Sequence, residues 1–373
     1  MGLYSSTMRT IASLALAGVL LTVTWAGRAE PLPNTITDQE FWGLVNALSE
    51  TGGRFQQQFM SNEDSFQYVI PDLKKNTRKD GVYIGVGSEQ NFTYIAAIQP
   101  KVSFIVDIRR DNLLEHLMYK AIFEVSKERA DFLSTLFSRK RPDKLDPNAT
   151  AKALFDAFEP VEPDTALFDR NVRGIIDRLV TVHNFDLSEA DKVSVIRIMA
   201  AFRMTGPYAL KGSGDTTNPT YAQLMSMTDS GGRNQSFLAS AENFAVVQKL
   251  ERENRVIPLV GDFAGDRTIA GIGKFLKDHD AVVDVFYVSN VERYLFDDFV
   301  HGKQFYSNVA ALPLNPSSIF IRSVTTDISK RLGFPLPDGK EKWRTFVFPI
   351  NDCVERLVDG RIKSYRDLFE GVK

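Results

Sequence analysis

From Val82 onward the apolar positions of this chain follow two alternating rhythms. VYIGV (82–86), VSFIVDI (102–108) and RVIPLV (255–260) are nearly continuous apolar runs, and AVVDVFYVS (281–289) and SSIFIRSV (317–324) are further apolar-rich segments that read as strands. Such runs predict strands covered on both faces. Between them SEQNFTYIAAI (88–98), DNLLEHLMYKAIFEVSKERADFLSTLF (111–137), SFLASAENFAVVQKLERE (236–253) and TIAGIGKFLKDH (268–279) repeat apolar residues at helical spacing. Strand and helix alternating at this distance predict parallel strands joined by right-handed crossovers. Helical pieces follow between 292 and 311. WRTFVFPI (343–350) reads as a last strand at a sheet edge, because Pro349 lacks a ladder N–H.

Two stretches break the rhythm. Before the first strand, Thr37-Asp-Gln-Glu40 forms a capping box ahead of FWGLVNAL, whose helix stops at Thr51-Gly-Gly53. A second helical stretch is expected over 61–75, and Lys79-Asp80-Gly81 turns the chain into the first strand. After the second strand, residues 138–235 carry helical patterns at 149–158, 166–182 and 187–203, then a Gly/Ser/Thr/Asn-rich segment at 211–220. The organisation expected is therefore a doubly wound, mostly parallel, Rossmann-like α/β unit in two halves, 81–137 and 236–373. A helical insertion (138–235) lies between the halves and a helical cover (30–80) precedes them.

Residues 1–29 belong to neither. Arg9 precedes the apolar run Ile11–Val23, and small residues follow at Ala26, Gly27 and Ala29. A basic start, a short apolar core and small residues near a cut site read as a secretory signal peptide. The run is short for a membrane span, and no other stretch approaches one. Cleavage would make the protein periplasmic or extracellular; without it the chain would be membrane-anchored or cytoplasmic. With 45 Lys+Arg against 47 Asp+Glu the charge is nearly balanced, and the densest basic stretch, 138–144, reads as a solvated helix end. No nucleic-acid partner is expected. The single Cys353 excludes an intramolecular disulfide and a cysteine metal cluster.

Candidate chemistry concentrates where strands end. In an open parallel sheet ligands sit beyond the carboxyl ends of the strands, where the winding reverses. Gly85 and Gly87, leaving the first strand, allow a sharp turn and close approach of backbone to a ligand. The next helix aims its N-terminal amides at the same spot. Asp107 ends the second strand, and a carboxylate there can accept from both hydroxyls of a ribose. A dinucleotide pattern asks for Gly at position 90, where this chain has Gln90. Glu89 would repel a pyrophosphate but tolerate a cationic cofactor. A small molecule is the partner expected.

This order of elements resembles the class I S-adenosylmethionine-dependent methyltransferase fold. The glycine motif corresponds to Tyr83-Ile84-Gly85-Val86-Gly87-Ser88-Glu89, in which two glycines match while Tyr83 and Glu89 depart from the family's leading acid and third glycine. GVGSEQNFTYIA and SNVERYL are also similar to an uncharacterised bacterial family of methyltransferase-like proteins. The resemblance covers about 80–137 and 236–325. It implies S-adenosylmethionine as cofactor, Asp107 on its ribose and Asp262-Phe263 at its adenine, with Asn290, Glu292 and Tyr294 on the acceptor side. Glu89 would partner the cofactor's ammonium, and Asn91 is a further cofactor-binding candidate.

Each residue also has a plainer reading. Asp107 can pair with Arg109 or Arg110, Glu89 can complement a helix dipole, and Asn91 and Asn290 can be helix-start residues. Phe92 and Tyr94 read as core, and Asp262 as a turn acid. RMTGPYAL (203–210) reads either as a lid or as a helix-ending turn. The four histidines show no ligand spacing, so no metal site is expected, and no G-x-S-x-G, H-E-x-x-H or P-loop motif appears. Export pulls against a cytoplasmic cofactor. The competing expectation is thus an exported, non-catalytic protein that reuses the fold to bind another small molecule or a partner. A nicotinamide oxidoreductase is disfavoured by Gln90.

Overall fold

Five parallel strands and one antiparallel strand form a single sheet in the computed structural model, which describes residues 30–56, 58–212, 217–334 and 341–370. The expected leader lies outside the described residues. The strands are β1 (Val82–Gly85), β2 (Val102–Asp107), β3 (Val256–Val260), β4 (Val283–Ser289), β5 (Leu314–Thr325) and β6 (Trp343–Pro349). Their order is β3-β2-β1-β4-β5-β6, with β6 antiparallel to β5. The chain winds outward from β1 through β2 to β3, returns to pair β4 with the other edge of β1, and winds outward again. The sheet is doubly wound and Rossmann-like. Its winding reverses between β1 and β4.

The first helices are α1 (Asp38–Leu48), α2 (Ile70–Asn76), α3 (Gln90–Ile98), α4 (Arg110–Val125) and α5 (Arg129–Phe137). Then come α6 (Ala151–Phe158), α7 (Thr165–Asp177), α8 (Glu189–Thr205), α9 (Tyr221–Ser226) and α10 (Ala241–Arg252). The last are α11 (Thr268–Asp278), α12 (Val291–Leu295), α13 (Phe299–Ala310), α14 (Thr326–Arg331) and α15 (Ile350–Val358). The capping box at Thr37 forms as its residues predict, with the Thr37 hydroxyl accepting from the Glu40 amide at 3.2 Å. β1, β2 and β3 are buried along their whole length, as continuous apolar runs require in a sheet covered on both faces. Phe92 of α3 sits in an edge-to-face cluster with Tyr119, Phe123 and Phe237 at 5.2 to 5.5 Å, so it belongs to the core. Tyr94, beside Phe66 and Tyr287, does too.

Three elements differ from the periodicity. The helix expected over 111–137 is two helices. Ser126 ends α4 by turning its hydroxyl back to the Ile122 carbonyl at 2.6 Å, while Gln248 of α10 donates to the Phe123 and Ser126 carbonyls. A side chain more than a hundred positions away therefore caps the break. The helix expected from 236 starts at Ala241, because Ser236 bonds the Met225 carbonyl and leaves Ser240 as the N-cap. The stretch 61–75 is helical only from Phe66, as a 3₁₀ turn (Phe66–Val69) running into α2. Residues 61–65 instead cross beneath the carboxyl ends of the strands.

Candidate functional site

A cleft of about 420 Å³ opens at the carboxyl ends of β1 to β4, at the reversal of winding. Its volume lies in the range of small-molecule sites. One wall is the turn after β1. Gly87 has φ +79° and open space where a Cβ would stand, so backbone conformation demands glycine there. At Gly85 the reason is crowding, since an added Cβ would come within 2.0 Å of Asn91 Oδ1 and 2.7 Å of the Tyr83 ring.

Asn91 lies under this turn. Its Nδ2 donates to the carbonyls of Val86, Gly87 and Ser88 at 3.0, 3.2 and 2.7 Å, and its Oδ1 accepts from the Tyr83 hydroxyl at 2.8 Å. His116 of α4 meets the Gly87 carbonyl at 2.8 Å through Nε2, which a carbonyl partner makes the N–H. Burial lowers His116 to about 4 despite that bond, so the ring is neutral.

Asp107 reaches the cleft, but both its oxygens are engaged. Arg109 donates to Oδ1 through Nε at 2.9 Å and to Oδ2 through Nη2 at 2.7 Å, and the Arg109 amide adds a third bond to Oδ1 at 2.9 Å. Arg109 also clamps the carbonyl of Gln58, another cleft-lining residue, at 2.9 Å. Asp262 and Phe263, after β3, line the next stretch. Asp262 Oδ1 accepts from the Ala264 amide at 2.9 Å, and Phe263 stacks on Phe305 at 5.5 Å. Beyond β4, Asn290 and Tyr294 line the opposite wall, where Tyr294 meets Phe55 edge-on at 5.0 Å.

Of the ten residues singled out from sequence, Gly87, Asp107, Asp262, Phe263, Asn290 and Tyr294 come together around the cleft. Four do not line it. Gly85 and Asn91 lie beneath the turn. Glu89 is wholly buried, its two oxygens each accepting from the Ser61 amide at 3.2 Å. Glu292, expected at the acceptor, turns away into a buried ion pair with Arg322, at 2.5 Å from Nε and 3.0 Å from Nη2, and also takes the Tyr306 hydroxyl. The sequence signal for it, a polar side chain leaving a buried strand, was a buried partner and not a ligand. The 203–210 segment does not line the cleft either; Tyr208 donates to the Phe155 carbonyl among the helices that follow β2. Among the described residues no group of three or more His, Cys, Asp or Glu is placed to hold a metal ion.

One residue of the floor escaped sequence reading. Glu63, from the segment expected to be helical, lies in the cleft wall. Its Oε1 accepts from the Ser289 hydroxyl, and its Oε2 accepts from Gln90 Nε2 at 2.8 Å and from the Ser323 hydroxyl. Burial raises its carboxyl above the usual range, against the pull of those donors. Burial likewise lifts Glu89, directly behind, to about 8. Ser289 holds φ +51°, a backbone conformation uncommon for a non-glycine residue. In the sequence, Glu63 stands in a polar pentad, SNEDS, that resembles any surface loop.

Sheet and cleft together define a doubly wound α/β protein with a ligand-sized opening at its topological switch point. The chain belongs to the family described as Domain of unknown function (DUF7790), whose model matches residues 58–372. No curated protein matches the chain. Among the described residues no helix is long and apolar enough to cross a membrane.

Proposed function

We propose that this protein binds a small organic molecule in the cleft beyond β1 to β4. The observation that carries this reading is the position of the opening, at the one point where helices leave the sheet in opposite senses and no crossover covers the strand ends. The Gly87 turn offers main-chain groups at close approach, Asp262 and Asn290 offer polar side chains, and Phe263 and Tyr294 offer apolar surface. A thermal-shift screen of soluble metabolites tests it. The expected result is a compound that raises the melting temperature of the wild type and not of Asn290→Trp, which fills the cleft. Compounds that stabilise both equally, or none that stabilise the wild type, would overturn the reading.

A second reading, methyl transfer from S-adenosylmethionine, is favoured by the strand order with its antiparallel last strand and by Asp262-Phe263 at the end of β3. The residues implied for the cofactor fit it poorly. A carboxylate offers about four acceptor positions. Arg109 takes three on Asp107, too many for both hydroxyls of a ribose. Glu89 cannot meet the cofactor's ammonium from beneath the turn. No step is derived through that cofactor. Calorimetry with S-adenosylmethionine and its demethylated product decides between the readings: heat of binding at millimolar ligand supports methyl transfer, and its absence leaves the cleft to another small molecule.

A further inference from the structure

We propose that Glu63 is a catalytic acid–base residue, exchanging a proton with a hydroxyl or amine of a molecule held in the cleft. This rests on the small-molecule reading and goes beyond it, since it makes the cleft a place of reaction.

Several other buried carboxylates are held by a cation. Asp107 has Arg109, Asp191 has Arg110, Glu124 has Lys120 and Arg178, and Glu292 has Arg322. Glu89, Glu115 and Glu251 are also buried and raised by burial, but none of them lines the cleft. Glu63 is as deeply buried, yet it lines the cleft and its partners are Ser289, Ser323, Gln90 and Tyr287, all neutral. A hydroxyl donates to a carboxylate, and by rotating it accepts from a carboxylic acid. Such a shell serves both protonation states of Glu63, as a group that must gain and lose a proton requires. The titratable groups facing it are Tyr83 from β1, Glu89 and Tyr94 at and within α3, and Tyr287 from β4. Burial keeps the three phenols protonated, so Glu89 is the group whose charge acts on Glu63 near neutrality.

Ser289 supplies the second observation. It is the last residue of β4, it lines the cleft, and its left-handed backbone turns its hydroxyl onto Glu63. Unfavoured backbone at a pocket wall persists where the surrounding structure enforces it, and here it completes the Glu63 shell. The step balances simply. The X–H bond of the bound molecule breaks, its electron pair stays on X, and the proton forms an O–H bond on Glu63. The return is the reverse.

Diazoacetamide tests this, because it esterifies only protonated carboxyl groups. The proton moves from the carboxyl to the reagent's carbon, and the carboxylate oxygen then displaces dinitrogen. The full chain is treated from about pH 5 to about pH 9, and esters are mapped by mass spectrometry. At neutral pH the expected result is an ester on Glu63 forming at least about tenfold faster than on exposed carboxylates. Its rate should fall about tenfold per pH unit above a midpoint. Ser289→Ala, which removes a donor to the carboxylate, should move that midpoint upward, and Asn290→Trp should block the reaction. No ester on Glu63, a rate indifferent to pH, or a rate unchanged by Asn290→Trp would overturn the proposal. The reagent reads Glu63 without any bound metabolite, so failure here and failure of the metabolite screen are separate results.

Discussion

Two buried glutamates, Glu63 on the cleft floor and Glu292 behind the cleft wall, have almost the same exposure and opposite surroundings. Glu292 is held by Arg322, which is itself stacked between the rings of Phe320 and Phe348 at 4.6 Å each. That corner anchors α12 to β5, and through α12 it positions Asn290 and Tyr294. Glu63 has hydroxyls and an amide. The difference teaches what burial alone does not tell. A buried carboxylate with a cation is scaffold, whereas one with neutral donors beside an opening is free to change charge.

The comparison breaks most visibly at Arg322. Arg322→Met leaves Glu292 buried and unpaired, and should cost about 3–5 kcal/mol in urea unfolding. The double variant Glu292→Leu with Arg322→Met should recover most of that loss. If it does not, the corner's stability comes from packing and not from charge balance.

Next in size is the pH dependence of the floor. Glu89 is raised from 4.5 to about 8 in the folded chain, so folding takes up a proton that the unfolded chain releases. Its stabilising contribution is therefore full below about pH 4.5, declines as pH rises, and is gone above about 8. The decline can reach about 1.4 kcal/mol per pH unit. Urea midpoints measured across this range should show it, and Glu89→Gln should flatten the slope. His116 works at the acid end in the opposite sense. Lowered to about 4, it contributes stability above its ordinary 6.5 that is lost as pH falls toward 4. His116→Leu should remove that acid-side loss in the same titration.

Smaller effects sharpen the contrast. Glu63→Gln keeps size and hydrogen-bonding ability, so it should change stability by about 1 kcal/mol or less while abolishing esterification of the cleft. A loss comparable to that of Arg322→Met would place Glu63 with the scaffold. At Ser289 both Gly and Ala delete the hydroxyl, but only Gly relieves the positive φ. Ser289→Gly should therefore be more stable than Ser289→Ala by about 1 kcal/mol in thermal unfolding.

Much of the architecture was legible because burial on both faces leaves little choice of residue. The apolar runs at 82–86, 102–108 and 255–260 read as strands covered on both faces, and glycines after the first of them marked the turn. The site was legible only in outline. Asp107, Asp262 and Asn290 reached the cleft because strand ends are local and strand order follows from the crossovers. Glu292 and Asn91 look equally polar in sequence, and their partners Arg322 and Tyr83 decide that they face inward. Glu63 left no trace, since nothing in SNEDS says that it meets Ser289 and Ser323, 226 and 260 positions away.

By itself the sequence determined which segments lie inside the sheet, where the chain turns, and at which strand ends ligand chemistry is possible, because periodicity and backbone freedom act over a few residues. The tertiary structure decided which carboxylates face the cleft and which are tied to arginine. Those properties depend on the groups that surround a side chain in space, and for Glu63 and Glu292 these come from strands and helices remote in the chain.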